Sequence, residues 1–150
     1  MSHQTHHMPK QLAAVDPIVV ALRSEVEPIV SDGTRFRFGI CIIEALTNLV
    51  THAAVDTSET AIEIRMNLKN GYVKIEIFDP LGAAPFDPCS AAKNLSEIDG
   101  MAEGGRGIGL IMECSDAAQY GPSGDRNSLK LEFWDADDAA SPQSENGAET

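Results

Sequence analysis

The chain has 150 residues, the length of one ordinary domain, and its 23 acidic against 11 basic residues give a formal net charge of −12. This negative charge repels nucleic-acid phosphates and anionic membrane surfaces, so neither is expected as a partner. The three cysteines form no Cys-x-x-Cys pair, and no apolar run approaches the ~20 residues that span a bilayer. We therefore predict a cytoplasmic domain without disulfides or a zinc site.

Both ends of the sequence are polar and are predicted to be disordered. Residues 1–10 include three histidines, which favour a mobile tail over a metal site because nothing orients the rings. Residues 135–150 contain five acidic residues and no Lys or Arg, a composition typical of a disordered acidic tail. The folded domain is predicted to span residues 11–134.

The first half of the domain contains two helical patterns followed by a hairpin. Residues 12–30 and 36–54 have helical apolar spacing and are separated by a Ser-Asp-Gly-Thr turn. Residues 61–68 and 72–78 alternate apolar and polar side chains around an Asn-Gly turn, which predicts two antiparallel strands.

The second half begins with a long irregular stretch, residues 80–106, rich in Gly, Ala and Pro. Residues 108–120 then have a helical pattern, and residues 129–133 alternate as a closing strand. The order of elements predicts an α+β fold, a two-layer sandwich with helices on one face of a mostly antiparallel sheet.

Polar residues on the second helix are the first candidates for chemistry. Glu44, Asn48 and His52 are spaced by four and lie opposite the apolar face predicted to pack on the sheet. A carboxylate and an amide one turn apart can polarise a hydroxyl or water and hold a divalent cation through oxygen. A solvated helix face is the alternative, because this spacing is common.

Asp79 is the second candidate, because alternation along the strand places it on the same face as Val73, Ile75 and Ile77. A carboxylate buried against the helix layer needs a hydrogen-bond donor, such as the exocyclic amine of a base. Alternatively, Asp79 and Pro80 only begin a turn.

The third candidate is the glycine-rich sequence of residues 104–110, at the start of a predicted helix. Backbone N–H groups of glycines can approach an anion closely there. The sequence is not a P-loop, since it lacks Gly-Lys-Ser/Thr, and no strand leads directly into it as a dinucleotide fingerprint requires. A flexible hinge is the alternative.

These features, in this order, resemble the GHKL (histidine-kinase-like) ATPase superfamily, and most closely its anti-sigma-factor serine/threonine kinases. Residues 38–53, Phe-Gly-Ile-Cys-Ile-Ile-Glu-Ala-Leu-Thr-Asn-Leu-Val-Thr-His-Ala, match the family's N box, with its Glu-Ala-x-Thr-Asn core followed by His-Ala. Further similar segments are the first glycine box at Asp79 and Gly82, residues 85–88 after it, the second glycine box at residues 105–111 and the terminal strand at residues 125–131. The resemblance spans about residues 12–133.

The resemblance implies a Bergerat-type fold that binds ATP and Mg²⁺. It makes Glu44 the general base, Asn48 the Mg²⁺ ligand and Asp79 the acceptor for the adenine amine. The other residues that it assigns to nucleotide binding are His52, Gly82, Gly105, Arg106, Gly107 and Gly109. The first glycine box is one residue longer than the family's Asp-x-Gly, which predicts a reshaped adenine pocket.

In function, the resemblance implies an anti-sigma factor that phosphorylates a STAS-domain antagonist protein on Ser or Thr and sequesters a sigma factor, and so regulates transcription. The alternative is a noncatalytic module, with or without nucleotide, that only binds partners. A histidine-kinase catalytic domain is less favoured, since no phospho-acceptor helix is present. Relatives of this kind often form homodimers, although the sequence predicts no family-type first strand before Leu12.

Overall fold

The structure is a computed structural model that describes residues 2–52, 61–80 and 111–136, without the side chain of His52. In this part of the chain, a five-stranded antiparallel sheet forms one layer, and two α-helices with the helical residues 111–114 form the other. The elements are β1 (Ser2–Pro9), a 3₁₀ turn (Leu12–Ala14), α1 (Val15–Val26), α2 (Asp32–His52), β2 (Ala61–Lys69), β3 (Tyr72–Phe78), β4 (Ala117–Ser123) and β5 (Arg126–Trp134). The predicted α+β sandwich is confirmed.

The strands are arranged in the order β1-β2-β3-β5-β4, and every neighbouring pair is antiparallel. The β2–β3 hairpin turns at Asn70 and Gly71, as the sequence predicts. Gly71 has φ of 77°, a left-handed conformation that glycine adopts without steric cost. The register pairs Ile64 with Ile77 and Met66 with Ile75, so apolar residues of both strands share one face.

The core lies between that sheet face and the two helices. Each helix contributes apolar side chains at spacings of three and four, namely Val15, Val19, Leu22 and Val26 from α1 and Phe38, Ile42, Ala45, Leu46 and Leu49 from α2, all buried. The rings of Phe38 on α2 and Phe133 on β5 pack edge to face, with centroids 5.3 Å apart. This contact fixes α2 over β5, the strand between β3 and the edge strand β4.

Strand β1 contradicts the predicted N-terminal tail. Ser2–Pro9 pair with β2 along their whole length, and Met8 is buried opposite Ile62. His6 contacts Glu25 of α1 at 3.0 Å. The prediction of disorder over residues 1–10, and of no strand before Leu12, is therefore wrong for this segment. An edge strand with one buried apolar residue is held by backbone hydrogen bonds that polar composition does not reveal.

Strand β4 contradicts the last predicted helix. Residues 111–114 are helical, but Ala117–Ser123 pair with β5 at the opposite edge of the sheet. The Ala-Ala-Gln sequence favours helix locally, and sheet pairing overrides that preference. Pro122 is compatible with this strand because an edge strand can lack a donor.

Two predicted boundaries also change. Helix α2 begins at Asp32 rather than near residue 36, because Ser31 acts as its N-cap: the Ser31 hydroxyl accepts a hydrogen bond from the Thr34 N–H at 3.3 Å. Asp135, predicted to begin the acidic tail, instead contacts the start of α2. None of the helices in the described residues is long and apolar enough to cross a membrane.

Candidate active site

Glu44 and Asn48 lie one turn apart on α2, as their spacing predicts. Glu44 is half-buried, whereas Asn48 is 6 % exposed, so the prediction that Asn48 lies opposite the buried face of α2 is wrong. The buried side of α2 therefore includes Asn48 in addition to the apolar residues that face the sheet. Cys41, fully buried, lies seven residues before Asn48 and only about 20° from it around the helix. The Asn48 amide therefore points into the protein.

The buried Asn48 amide has an unsatisfied polar atom. Its Nδ2 has no hydrogen-bond partner among the described residues. Burying an amide group without a hydrogen-bond partner costs free energy. The oxygen and nitrogen of an Asn amide are told apart by the hydrogen bonds that each can form. Turned by 180°, the amide presents its carbonyl oxygen at this position. Oxygen is the donor that Mg²⁺ prefers, so Asn48 fits a divalent cation.

The described residues contain no group of three or more His, Cys, Asp or Glu side chains able to hold a metal. A single protein oxygen, such as that of Asn48, is compatible with a cation whose other ligands include water and a bound molecule. This is how Mg²⁺ is usually held in phosphoryl-transfer sites, by one or two protein oxygens, several waters and substrate phosphates. The Asn48 amide oxygen fits one position of such a site.

The chain that follows the glycine-rich sequence packs against the same side of α2. Ile111 is fully buried, and its carbonyl oxygen lies 3.7 Å from Sγ of Cys41. Arg37, one turn before Cys41, donates to the carbonyl of Cys114 at 2.8 Å and to Asp116 at 3.2 Å. The residue directly after the glycine-rich sequence thus lies beside the helix that carries Glu44 and Asn48.

Asp79 follows β3 and is 3 % exposed, on the face that alternation predicts. Its backbone N–H donates to the carbonyl of Asn127 at 2.9 Å, and the Tyr120 hydroxyl donates to its Oδ2. Burial raises the pKa of the Asp79 carboxyl, and the hydrogen bond from Tyr120 opposes that shift. The site therefore contains a buried acid anchored from β4 and β5.

Sequence reasoning missed Tyr120 because a helical pattern over residues 108–120 contains it. The sequence does contain an indication of this strand. Gly124 and Asp125 lie between two short strand-length segments, which is typical of a hairpin turn. Recognising that hairpin would have placed Tyr120 on a strand beside β5.

His52 ends α2, and its side chain is outside the described part. Also outside the described residues lie Gly82, Gly105, Arg106, Gly107 and Gly109.

Comparison with known proteins agrees with the arrangement of helices and sheet. A family model described as histidine kinase-like ATPase domain matches residues 8–133, from the end of β1 through nearly all of β5. No curated protein matches the chain significantly. The match extends over most of the sequence and confirms the predicted GHKL superfamily. This chain belongs to the family of histidine kinase-like ATPase domains.

Proposed function

We propose that this domain binds ATP with Mg²⁺ between α2 and the ends of the central strands, and transfers the γ-phosphoryl group to a Ser or Thr hydroxyl of a protein partner. The observation that carries the proposal is a pair of buried polar side chains, Asn48 on α2 and Asp79 after β3, in a chain of this family.

The other two buried polar side chains in the described residues have structural roles. The Thr34 hydroxyl donates to Asp135 at 2.7 Å, and the Ser128 hydroxyl donates to Glu76 at 2.7 Å. In contrast, Asn48 has an unpaired Nδ2, and the described partner of the Asp79 side chain is a neutral hydroxyl. Buried groups left in this condition are concentrated at functional sites.

Asp79 provides recognition of the base in this proposal. An ionised carboxylate offers about four lone-pair positions, and Tyr120 uses one of them. The exocyclic amine of adenine is a donor that fits another. Because the acid is buried, a hydrogen bond to it is little weakened by competition with water.

Asn48 and Glu44 act at the phosphate end. Asn48 would hold Mg²⁺ through its amide oxygen, and the cation would supply positive charge against the phosphate oxygens. Glu44, one turn earlier and half-buried, accepts the proton of the attacking hydroxyl as its oxygen bonds to the γ-phosphorus and ADP departs. Phosphoryl transfer depends mainly on positioning and charge neutralisation, so few protein groups are required.

The protein substrate and the regulatory role rest on the sequence of residues 38–53, which resembles the N box of anti-sigma-factor kinases. We accordingly propose a STAS-domain antagonist as the phosphorylated partner and a sigma factor as the sequestered one. ATP state would bias the choice between these two partners. The lengthened first glycine box favours, as the second candidate, a noncatalytic module that only sequesters partners.

Calorimetry with ATP and Mg²⁺, followed by incubation with labelled ATP and a purified STAS-domain antagonist, tests the proposal. The kinase account expects Mg²⁺-dependent ATP binding and label on a Ser or Thr of the antagonist. Nucleotide binding without transfer to any STAS protein, combined with sigma-factor binding, would establish the noncatalytic module instead. Absence of nucleotide binding would contradict the proposal for the site.

A further inference from the structure

Tyr120 contacts Asp79 from two strands away. Tyr120 on β4 pairs with Leu129 on β5, and Leu129 pairs with Ile77 on β3. Adjacent strands are about 4.8 Å apart, so the Tyr120 and Asp79 side chains together bridge the roughly 10 Å between β4 and β3. Tyr120 packs against the hydrophobic core, so its ring crosses β5 on the helix-facing side. The hydrogen bond between Tyr120 and Asp79 therefore lies on the helix-facing side of the sheet, where Asp79 is buried.

We propose that Tyr120 is a positioning residue that orients the Asp79 carboxylate toward the amine of adenine and so determines the preference for adenine over 6-oxopurine nucleotides. This inference rests on the proposed function of Asp79. It adds a residue on β4 that touches the acid rather than the phosphates.

The orientation argument follows from what is already fixed around Asp79. The backbone of Asp79 is tied to β5 through Asn127 at 2.9 Å. The main remaining freedom is rotation of the side chain, and the hydrogen bond from Tyr120 to Oδ2 restricts that rotation. The lone pairs that Tyr120 does not use then have a defined direction.

The protonation state supplies a second argument. An ionised carboxylate only accepts hydrogen bonds and matches the 6-amine of adenine, whereas a protonated carboxyl can donate to the 6-carbonyl of hypoxanthine. Burial favours the protonated form of Asp79, and the Tyr120 hydroxyl favours the ionised form. Removing that hydroxyl should therefore weaken ATP binding and reduce the ratio of ATP affinity to ITP affinity.

Tyr72 provides a matched control. Its hydroxyl also donates to a carboxylate, Glu132, at 2.8 Å, and it is 8 % exposed. Tyr72 is adjacent to core-facing Val73 in β3, so alternation places it on the opposite face of the sheet. Replacing Tyr72 by Phe removes the same kind of hydrogen bond from the same sheet, away from Asp79.

The experiment is calorimetry of Mg·ATP and Mg·ITP on the full chain as wild type, Tyr120→Phe and Tyr72→Phe. We expect wild type to prefer ATP, Tyr120→Phe to reduce the ATP-to-ITP affinity ratio roughly threefold to tenfold, and Tyr72→Phe to leave it unchanged. Each ratio is measured on one preparation, so partial loss of folded protein cancels. In an Asp79→Ala background, where no side chain remains for Tyr120 to orient, Tyr120→Phe should no longer change the ratio.

An unchanged ratio in Tyr120→Phe, with wild type preferring ATP, would overturn the role of Tyr120 while leaving the ATP site in place. An equal reduction by Tyr72→Phe would also overturn it, because the effect would then not be local to Asp79. If wild type binds neither nucleotide, the proposed function fails, and the positioning role of Tyr120 fails with it.

Discussion

Oδ1 of Asp135, the residue after β5, accepts a hydrogen bond of 3.0 Å from the backbone N–H of Ser31, the residue before α2. The same oxygen accepts from the Ser31 hydroxyl at 2.9 Å and from the Thr34 hydroxyl at 2.7 Å. A negative charge at this end of a helix also compensates its dipole. These hydrogen bonds therefore connect the end of β5 to the start of α2, the helix that carries Glu44 and Asn48.

Replacing Asp135 by Asn removes this charge while keeping a similar shape. We expect the free energy of unfolding at pH 7 to fall by about 1 kcal/mol. Burial by itself raises the pKa of Asp135, but hydrogen bonds from Thr34 and Ser31 outweigh burial and hold the pKa below its ordinary value. A lowered pKa in the folded state stabilises the fold above the unfolded pKa, and that contribution is lost as pH falls through the folded value.

The difference in stability between wild type and Asp135→Asn should therefore be largest above about pH 4 and shrink below it. Urea unfolding across this range measures the difference. Asp16→Ala is a suitable control, because Asp16 is an exposed acid in the first turn of α1 and has no such hydrogen bond to any of the described residues. A difference that does not change with pH would show that the Asp135 charge does not stabilise the start of α2.

Asp79→Asn should weaken ATP binding roughly tenfold or more, because a charge-assisted hydrogen bond to the adenine amine contributes about 1.5–3 kcal/mol. The variant should remain as stable as wild type, since burial already disfavours the ionised acid and the amide oxygen can accept from Tyr120. Calorimetry and thermal melting check the two parts. A folded Asp79→Asn protein with wild-type ATP affinity would remove Asp79 from the site.

Asn48→Ala should make ATP affinity largely insensitive to Mg²⁺, while metal-free ADP binds about as tightly as before. The reason is that the alanine lacks the oxygen proposed to hold the cation, and the nucleotide loses no direct contact. Removing a buried amide atom that has no described partner should limit any cost in stability. Titrations with and without Mg²⁺ measure the effect. If Mg²⁺ still tightens ATP binding normally, the cation ligand lies elsewhere.

The sequence predicts the parts of this fold that local patterns specify. The β2–β3 hairpin follows from alternation and the Asn-Gly turn, and Asp79 follows from the same alternation. Strands β1 and β4 are edge strands with few inward apolar residues, so only pairing with β2 and β5 defines them. The burial of Asn48 and the contact from Tyr120 arise between elements distant in sequence, which residue spacing along one element does not predict.

The most direct measurement is phosphoryl transfer by Glu44→Gln. Glutamine and glutamate are both good helix formers, so α2 should be retained, and ATP affinity and partner binding should remain close to wild type. The rate of transfer from labelled ATP to a STAS-domain antagonist should fall by roughly 10²–10⁴-fold, the usual effect of losing a general base. Transfer at the wild-type rate, with ATP binding intact, would contradict the assignment of Glu44 as the base and the catalytic site proposed on α2.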